Sequence, residues 1–495
     1  MSDWIKNIFG KIKDLNVSID SYKQDSIIQS LPTVAYVNKA KKLFEEKQYD
    51  KAEELLKKAL DISHQDSGVY KYLGKIYESR MKFEDASTYY YESANLNSQD
   101  KEIWLRLGMC LLNSQKYEEA LDAFEHANKI TPLNTDVHTG WGMVLMKMKK
   151  YALARDQFNK AAQISKYNYT AILLSAIMEV RLFDYDSAEM KLQFLAKVAP
   201  NESSTYEYAN LKLLKSDYKA AEEYAKKSIS INKQMLPAYF VLGEVYSIQK
   251  KYEETEKIFN SAILNDLDNE VLHFEWGKAY VRLFEFSKAK EQFEIAFSKD
   301  NDYLNPKIGL ALVNAYDNDF TLLDTLKEKH GENVYIQEAM GLEKVAEGRF
   351  EDGVELFKKS LRTDRKQSYN YLNIARAYQK LDNKDKTREY FEKFITENSK
   401  YVKGFVEYSK WLMGISDYAD ALRKLRRAEK LDDKNVEILN LLFYSSYRLV
   451  KDNICEYNIK ETISIADKAQ SLGHFEYENE KVELENILKG IQGNN

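Results

Sequence analysis

Residues 104–132 read WLRLGMCLLNSQKYEEALDAFEHANKITP. Apolar side chains recur every three or four residues on either side of a short polar break, which is the spacing of two amphipathic helices joined by a turn. Gly108 and Ala120 are small where the two helices must approach each other, and Phe124 continues the apolar stripe of the second helix. Pro132 ends that helix. A single hairpin of this kind cannot bury both stripes, so the pattern predicts that similar hairpins stack on it.

The hairpin pattern repeats along most of the chain. An aromatic residue at the start of each second helix recurs at a step of 34 residues, as between Phe83 and Tyr117, with one step of 33 and one of 30. A small residue lies nine positions before each of these anchors, and a compact residue lies three positions after it. Such a period predicts a stack of units that contact their neighbours. The anchors are Tyr49, Phe83, Tyr117, Tyr151, Tyr185, Tyr218, Tyr252, Phe286, Phe320, Phe350, Lys384 and Tyr418.

The repeated residues resemble the tetratricopeptide repeat (TPR) family. The third unit carries most of that family's pattern, and twelve units followed by an altered thirteenth show it in part. The resemblance implies an all-α fold, a right-handed superhelical α-solenoid of helix-turn-helix repeats. The matching residues of the third unit are Trp104, Leu107, Gly108, Ala120, Phe124, Ala127 and Pro132.

Three segments follow from the repeat boundaries. We expect an N-terminal amphipathic helix and linker at 1–31, the TPR array at 32–434, and an altered last repeat with a capping helix at 435–495. The ninth unit is short and has Leu323 at the compact position, so we expect irregular stacking and a change in curvature near 304–333. The eleventh unit has Lys384 in place of the anchor aromatic.

The composition narrows the class of protein. The chain has 495 residues with 73 basic and 78 acidic side chains, a near balance that does not indicate nucleic-acid binding. Cys110 and Cys455 lie far apart, outside any metal-ligand spacing, and we expect unremarkable thiols in a reducing compartment. No stretch approaches the roughly 18 apolar residues of a membrane span. The N-terminus also lacks the features of a signal peptide. We therefore expect a cytoplasmic protein.

The sequence contains no pattern that indicates catalysis, a cofactor or a metal. It has no phosphate-binding loop and no nucleophile elbow, and its six histidines are not at metal-ligand spacing. His138 and His273 occupy the position of Trp104 in their own repeats, which favours a packing role. We expect a protein that is not an enzyme.

The resemblance implies that the first helices of successive units line a concave surface. In the third to ninth units, this surface carries methionines, aliphatic side chains and aromatics, which suit an amphipathic helix or an extended apolar segment of a protein partner. The alternative is that some of these residues pack against neighbouring helices and are not accessible to a partner. The predicted partner-binding residues are Leu105, Met109, Leu112, Met143, Met146, Leu173, Ile177, Val180, Tyr206, Leu213, Phe240, Phe274, Ile308, Leu312 and Tyr316.

The first fifteen residues, MSDWIKNIFGKIKDL, form an amphipathic pattern of their own. On a helix their apolar side chains share an arc of roughly 140°, with lysines at its margins. This segment has three alternative roles: it caps the array, it binds weakly to a membrane surface, or it fills the chain's own groove. Its apolar residues are Trp4, Ile5, Ile8, Phe9, Ile12 and Leu15.

These observations favour a non-catalytic scaffold that binds a protein or peptide partner on its concave face. One alternative is a peripheral membrane-associated assembly factor at the inner face of the membrane, anchored by the N-terminal helix. The other is a regulatory TPR subunit of an enzyme encoded separately.

Overall fold

The computed structural model describes residues 25–452 and 456–493, and the regular structure of these residues is entirely helical. The predicted all-α solenoid fold is confirmed, because helices that follow one another along the chain pack together in series. The described residues fall into two compact units, and the chain divides between Lys215 and Ser216.

The first unit contains eleven helices within its described residues. They are α1 Asp25–Glu45, α2 Tyr49–Ile62, α3 Ser67–Ser79, α4 Phe83–Leu96, α5 Lys101–Asn113, α6 Tyr117–Ile130, α7 Thr135–Lys147, α8 Tyr151–Ile164, α9 Tyr169–Arg181, α10 Tyr185–Val198 and α11 Glu202–Leu214.

The second unit contains sixteen helices over the residues that are described. They are α12 Tyr218–Ile231, α13 Leu236–Ile248, α14 Tyr252–Ile263, α15 Glu270–Leu283, α16 Phe286–Lys299, α17 Leu304–Tyr316, α18 Thr321–His330, α19 Val334–Ala346, α20 Phe350–Thr363, α21 Tyr369–Lys380, α22 Lys384–Glu397, α23 Val402–Gly414, α24 Tyr418–Leu431, α25 Val436–Asp452, α26 Glu456–Leu472 and α27 Glu478–Gly493.

The anchor positions mark where the second helices begin. Except in the ninth unit, where α18 begins one residue after Phe320, each anchor is the first residue of its helix. Lys384 also starts a helix although it is not aromatic, because the Asn383 side chain accepts a hydrogen bond from the Lys386 backbone N–H at 3.0 Å. The helix start therefore does not depend on the ring at this position.

A left-handed residue forms the turn inside each repeat. Two positions before every anchor the backbone φ is positive, as at Gln115 with φ 60° and Lys149 with φ 59°. This conformation allows the Lys116 N–H to donate to the Leu111 carbonyl at 2.9 Å and so to close the end of α5. Among these turn residues only Gly348 is a glycine, the residue type that adopts this conformation without strain.

Contact between a glycine and an aromatic ring joins the two helices of many repeats. A Cβ atom on Gly108 would lie 2.9 Å from the Phe124 ring, and one on Gly277 would lie 2.5 Å from the Phe293 ring. Both distances are too short for any side chain larger than hydrogen, and both rings are fully buried. The predicted close approach is confirmed. The same contact recurs at Gly74 with Tyr90, Gly142 with Phe158, Gly243 with Phe259 and Gly341 with Phe357.

Two parts of the structure depart from the regular repeat. Helix α1 begins at Asp25, so Pro32 lies within a helix and the segment expected to be a linker is partly helical. In the ninth unit α18 is short, with Leu323 fully buried, and α17 packs more extensively against α19 than against α18. The irregular stacking and the change in curvature expected near 304–333 remain predictions.

The last three helices form the C-terminal end of the second unit. Helix α27 packs on α26 and buries Leu484. Its Glu483 accepts a hydrogen bond from the Tyr447 hydroxyl of α25 at 2.5 Å and pairs with Lys451 at 3.0 Å. These contacts are what a capping helix needs, since one of its faces is apolar and packed.

An aromatic cluster fills the interior of the second unit. The Phe284 ring, at the turn after α15, lies 4.7 Å from the Tyr369 ring and 4.9 Å from the Tyr401 ring, centroid to centroid. Nearby, Lys366 forms an ion pair with Glu244 of α13. Residues from the seventh and eighth repeats therefore contact residues from the eleventh and twelfth.

A buried carboxyl group adjoins this cluster. Glu338 of α19 is 1% exposed and accepts hydrogen bonds from the Tyr316 hydroxyl at 2.5 Å and from the Asn370 amide at 2.9 Å. Burial raises the pKa of Glu338 to about 7, because the charged form loses its hydration and no cation pairs with it directly.

The turn conformation predicts opposite effects of glycine at two neighbouring positions. Lys149→Gly should raise the free energy of unfolding by about 0.5–1 kcal/mol, because glycine adopts positive φ without steric strain. Lys150→Gly, one residue later at φ −85°, should lower it. Gly348→Ala should be destabilising by about 1 kcal/mol through strain alone, since no atom lies within 4 Å of the added methyl group. Urea titrations followed by circular dichroism measure all three, and equal effects at 149 and 150 would contradict the explanation.

The raised pKa of Glu338 predicts that the second unit loses stability as pH rises. The folded state holds a proton on this carboxyl up to about pH 7, while the unfolded chain releases it near pH 4.5. Stability contributed by that proton is therefore lost between these two pH values, by up to about 3 kcal/mol. Glu338→Gln should raise the melting temperature more at pH 8 than at pH 5.

Glu397→Gln is the matched control, because Glu397 lies exposed at the end of α22. It should shift the melting temperature little and by the same amount at both pH values. A Glu338→Gln variant with a shift that does not depend on pH would show that the carboxyl is already ionised when buried.

Candidate partner-binding face

Apolar side chains occupy equivalent positions on three successive first helices of the first unit. Leu105 and Leu173 are the fifth residues of α5 and α9; Met109, Met143 and Ile177 are the ninth residues of α5, α7 and α9; Met146 and Val180 are the twelfth residues of α7 and α9. All seven side chains are half-buried. We refer to Leu105, Met109, Met143, Met146, Leu173, Ile177 and Val180 as the apolar face of the first unit.

The apolar face is anchored in the core beneath it. The Met109 sulfur lies 3.2 Å from where a Cβ atom on Gly140 would be, so the absence of a side chain at Gly140 lets α5 and α7 approach each other here. Met143, Met146 and Ile177 pack against the buried cluster around Phe158. Each side chain of the apolar face is therefore partly packed against the core and partly exposed.

The same positions on the preceding helix are charged. The fifth and ninth residues of α3 are Lys71 and Lys75, which pair with Asp100 and Glu102 at 2.8 Å each. Because α3 carries paired charges at these positions, the apolar face does not extend onto it. The face therefore begins at α5.

The other end of the apolar face carries an aromatic ring and a titratable carboxyl group. Tyr206 of α11 is half-buried, and burial raises the pKa of its hydroxyl to about 12, with a further contribution from the adjacent Glu207. Burial also raises the pKa of Glu207 to about 7, against the opposing effect of the positive charge on Arg181. Glu207 is not among the residues predicted from sequence, where its one signal is a carboxylate next to a predicted contact residue.

Several of the predicted partner-binding residues are buried. Leu112 and Leu213 are 7% and 6% exposed and belong to the core of the first unit. Ile308 and Leu312 of α17 are 6% and 0% exposed and belong to the core of the second unit. Because these side chains are packed against neighbouring helices, we leave them out of the apolar face.

The remaining predicted residues of the second unit contact its own side chains. The half-buried Phe274 ring lies 5.6 Å from the Tyr303 ring, and the Tyr316 ring stacks on Phe286 at 4.0 Å. Phe240 is half-buried against the same core cluster. These rings are therefore already in contact with other side chains of the second unit.

The pKa values of two ionisable side chains near the aromatic cluster are shifted. Lys250 donates to the Arg282 carbonyl, and its ammonium lies 3.5 Å from the centre of the Phe284 ring. Burial lowers the pKa of Lys250 to about 7, with repulsion from Arg282 adding to the effect. Burial opposes ionisation of Glu244 too, yet Arg282 and Lys366 lower its pKa to about 2. Arg282 therefore stabilises the ionised form of Glu244 and destabilises that of Lys250.

The two histidines with a predicted packing role are buried, and so is Cys110. His138 is buried, with its ring nitrogens 2.9 Å from the Gln157 side chain and from the Pro132 carbonyl, and His273 is buried between Gln292 and Asp268. Cys110 is a buried free thiol whose pKa is raised to about 12, chiefly by burial.

Among the residues that the structure describes, no group of histidine, cysteine and carboxylate side chains is arranged to hold a metal ion. No helix in the described ranges is long and apolar enough to cross a membrane. Cys455 and the N-terminal residues Trp4, Ile5, Ile8, Phe9, Ile12 and Leu15 lie outside those ranges.

Protein-family models match four segments of the chain. Residues 93–206 match the TPR domain of cytochrome c-type biogenesis protein H, and residues 33–139 match the C-terminal ARM domain of tetratricopeptide repeat protein 21. Residues 236–269 and 369–400 each match a tetratricopeptide repeat model. No curated protein shows a significant match to the sequence.

Several solved structures align with this chain. One chain of the APC/C hetero-tetramer Cut9-Hcn1 aligns with a TM-score of 0.51 and 12% identity, covering 91% of this chain and 94% of that one. PilF from Pseudomonas aeruginosa aligns at 0.37 and 20% identity, covering 42% and 96%. A tetratricopeptide repeat protein from Parabacteroides merdae aligns at 0.40 and 15% identity, covering 57% and 99%.

At these identities the structural similarity concerns the fold alone. The fold, the helix pairs that begin at the anchors and the matching repeat models agree with one another along both units. The chain is a tetratricopeptide repeat protein.

Proposed function

We propose that this protein is a non-catalytic scaffold that binds a peptide or a partner helix on the apolar face of the first unit. TPR proteins generally mediate protein–protein interactions, and this fold typically lacks catalytic activity. The observation that carries the proposal is the repetition of half-exposed apolar side chains at the same positions of α5, α7 and α9.

The chemistry of the apolar face defines the class of ligand. Its side chains are aliphatic or methionine, and methionine adapts its flexible thioether to ligands of different shape. A ligand that inserts apolar side chains at intervals along its length would bury them between these residues. An amphipathic helix with apolar residues three and four positions apart meets this requirement.

The two ends of the face limit the length of the ligand. Lys71 and Lys75 form ion pairs at one end, and Tyr206 with Glu207 lies at the other. The equivalent residues of the second unit are less accessible as a set, because Ile308 and Leu312 are buried and the Tyr316 ring stacks on Phe286. The proposed site therefore spans the first helices of the third to fifth repeats, with Tyr206 at its margin.

The triple change Met109→Asp, Met143→Asp and Ile177→Asp should abolish ligand binding while the array stays folded. Each position gives up about 1.5–3 kcal/mol of apolar burial on binding, so affinity should fall by at least about 100-fold. Peptides of about fifteen residues selected by display on the full chain serve as probes. Fluorescence anisotropy then gives their dissociation constants for the two proteins.

A matched variant separates this effect from that of added negative charge. Gln99→Asp, Gln163→Asp and Gln193→Asp introduce the same three charges at exposed positions and should leave affinity within about twofold. The helical circular dichroism of all variants should match that of the original protein. If the selected peptides bind the triple Met109, Met143 and Ile177 variant unchanged, the apolar face is not the binding site.

A further inference from the structure

The second helices of the repeats present a charged stripe to solvent. The residues five and nine positions after the anchor lie on the same exposed side of the helix, and they are charged pairs in many repeats. Lys58 donates to Glu54 at 2.6 Å in α2, and Lys393 donates to Glu389 at 2.7 Å in α22. This stripe keeps the outer surface of those repeats polar.

Helix α10 breaks this pattern. The equivalent residues are Met190 and Phe194, and Val198 continues the series four positions later. At about 100° per residue the three side chains share an arc of roughly 80°. They are 68%, 42% and 53% exposed, on the side of the helix opposite the buried Leu192. No other repeat of the array has apolar residues at both of the first two positions.

Two tyrosines extend the apolar stripe of α10. The Tyr169 ring, at the start of α9, lies 6.4 Å from the Phe194 ring, and the Tyr167 ring lies 6.4 Å from Tyr169. Tyr167 is 68% exposed. We refer to Met190, Phe194, Val198, Tyr167 and Tyr169 as the outer patch. Isolated exposed apolar residues are normal on a protein surface, but a contiguous set marks a surface that binds something apolar.

We propose that the outer patch binds the outer patch of a second copy of this chain. This surface is separate from the apolar face, and the inference does not depend on the proposed peptide site. Met190 and Val198 lie symmetrically about Phe194, four residues on either side. An antiparallel pair of α10 helices with Phe194 at the two-fold axis therefore places Met190 of each copy against Val198 of the second copy, which is the self-complementarity that a two-fold interface requires.

The area of the outer patch is of the size that a dimer needs. Taking roughly 200 Å² for each fully exposed side chain, the measured exposures of Met190, Phe194, Val198 and Tyr167 give roughly 450 Å² of apolar surface per copy. A standard interface buries about 800 Å² per partner, of which somewhat more than half is apolar. The outer patch thus supplies the apolar centre, and the polar residues around it supply the rim.

The charges beside the patch suit the same arrangement. Asp186 and Lys197 lie on one flank of α10, and Asp186 is 94% exposed although Lys215 approaches it to 2.9 Å. In an antiparallel pair this flank faces the same flank of the second copy in the opposite direction. At a rise of about 1.5 Å per residue, Lys197 of each copy then lies roughly 7.5 Å along the helix axis from Asp186 of the second copy, which is nearer than the roughly 9 Å between the two Lys197 residues.

Sedimentation equilibrium of the full chain between 1 and 100 µM tests the proposal. The mass should rise above the 57.8 kDa of one chain and approach twice that value. Met190→Glu combined with Phe194→Glu should hold the mass at one chain over the whole range, because like charges would meet at the two-fold axis. Asp156→Glu with Lys160→Glu makes the same replacements at the equivalent positions of α8 and should leave association unchanged.

A charge exchange tests the antiparallel arrangement. Lys197→Asp should weaken association several-fold, and adding Asp186→Lys to that variant should restore it. Circular dichroism confirms that each variant is folded. A single-chain mass for the original protein at 100 µM would overturn the proposal, as would a dimer that survives the two α10 glutamates. Loss of the dimer on deletion of residues 1–24, with no effect of the α10 changes, would assign association to the N-terminal segment instead.

Discussion

The contact between a glycine of the first helix and an aromatic ring of the second sets the geometry of half of the repeats. The rings of Phe124 and Phe293 lie where a Cβ atom on Gly108 or Gly277 would have to be, so the helix axes approach closely enough to exclude water between them. Each hairpin built this way leaves apolar surface on its outer sides, and only another hairpin can cover it. The stacking of the chain follows from this local contact.

The two units use the side chains on their first helices differently. In the first unit, Met109, Met143 and Ile177 keep part of their surface accessible above a packed core. In the second unit, Glu338 of α19 is buried and hydrogen-bonded to Asn370, and Phe284 at the turn after α15 packs against Tyr369. Binding in the second unit would have to displace those contacts and expose partly neutralised charges. This difference in energy is the physical reason for placing the candidate site in the first unit.

The repeat register and the starts of the second helices were predictable from sequence, because they depend on residues within about 34 positions of one another. The half-exposed members of the apolar face, such as Met143, were predictable for the same reason. The burial of Leu312 and the ion pair between Glu244 and Lys366 were not, since the latter joins residues 122 positions apart. Contacts of that kind depend on small rotations accumulated over several repeats, which no local pattern encodes. The role of Trp4 and the other apolar residues of the N-terminal segment remains a prediction.

The left-handed turns have a consequence for the stability of the whole array. Eleven of the twelve turn residues before the anchors are not glycine, as at Gln115 and Lys149, and each holds a conformation that costs about 1 kcal/mol. Their sum, roughly 10 kcal/mol, is as large as the net stability of a typical domain. Substitutions that remove this strain at the turns can therefore raise the stability of the array one repeat at a time. Such gains would be local, leaving the binding surfaces and the register of the helices unchanged.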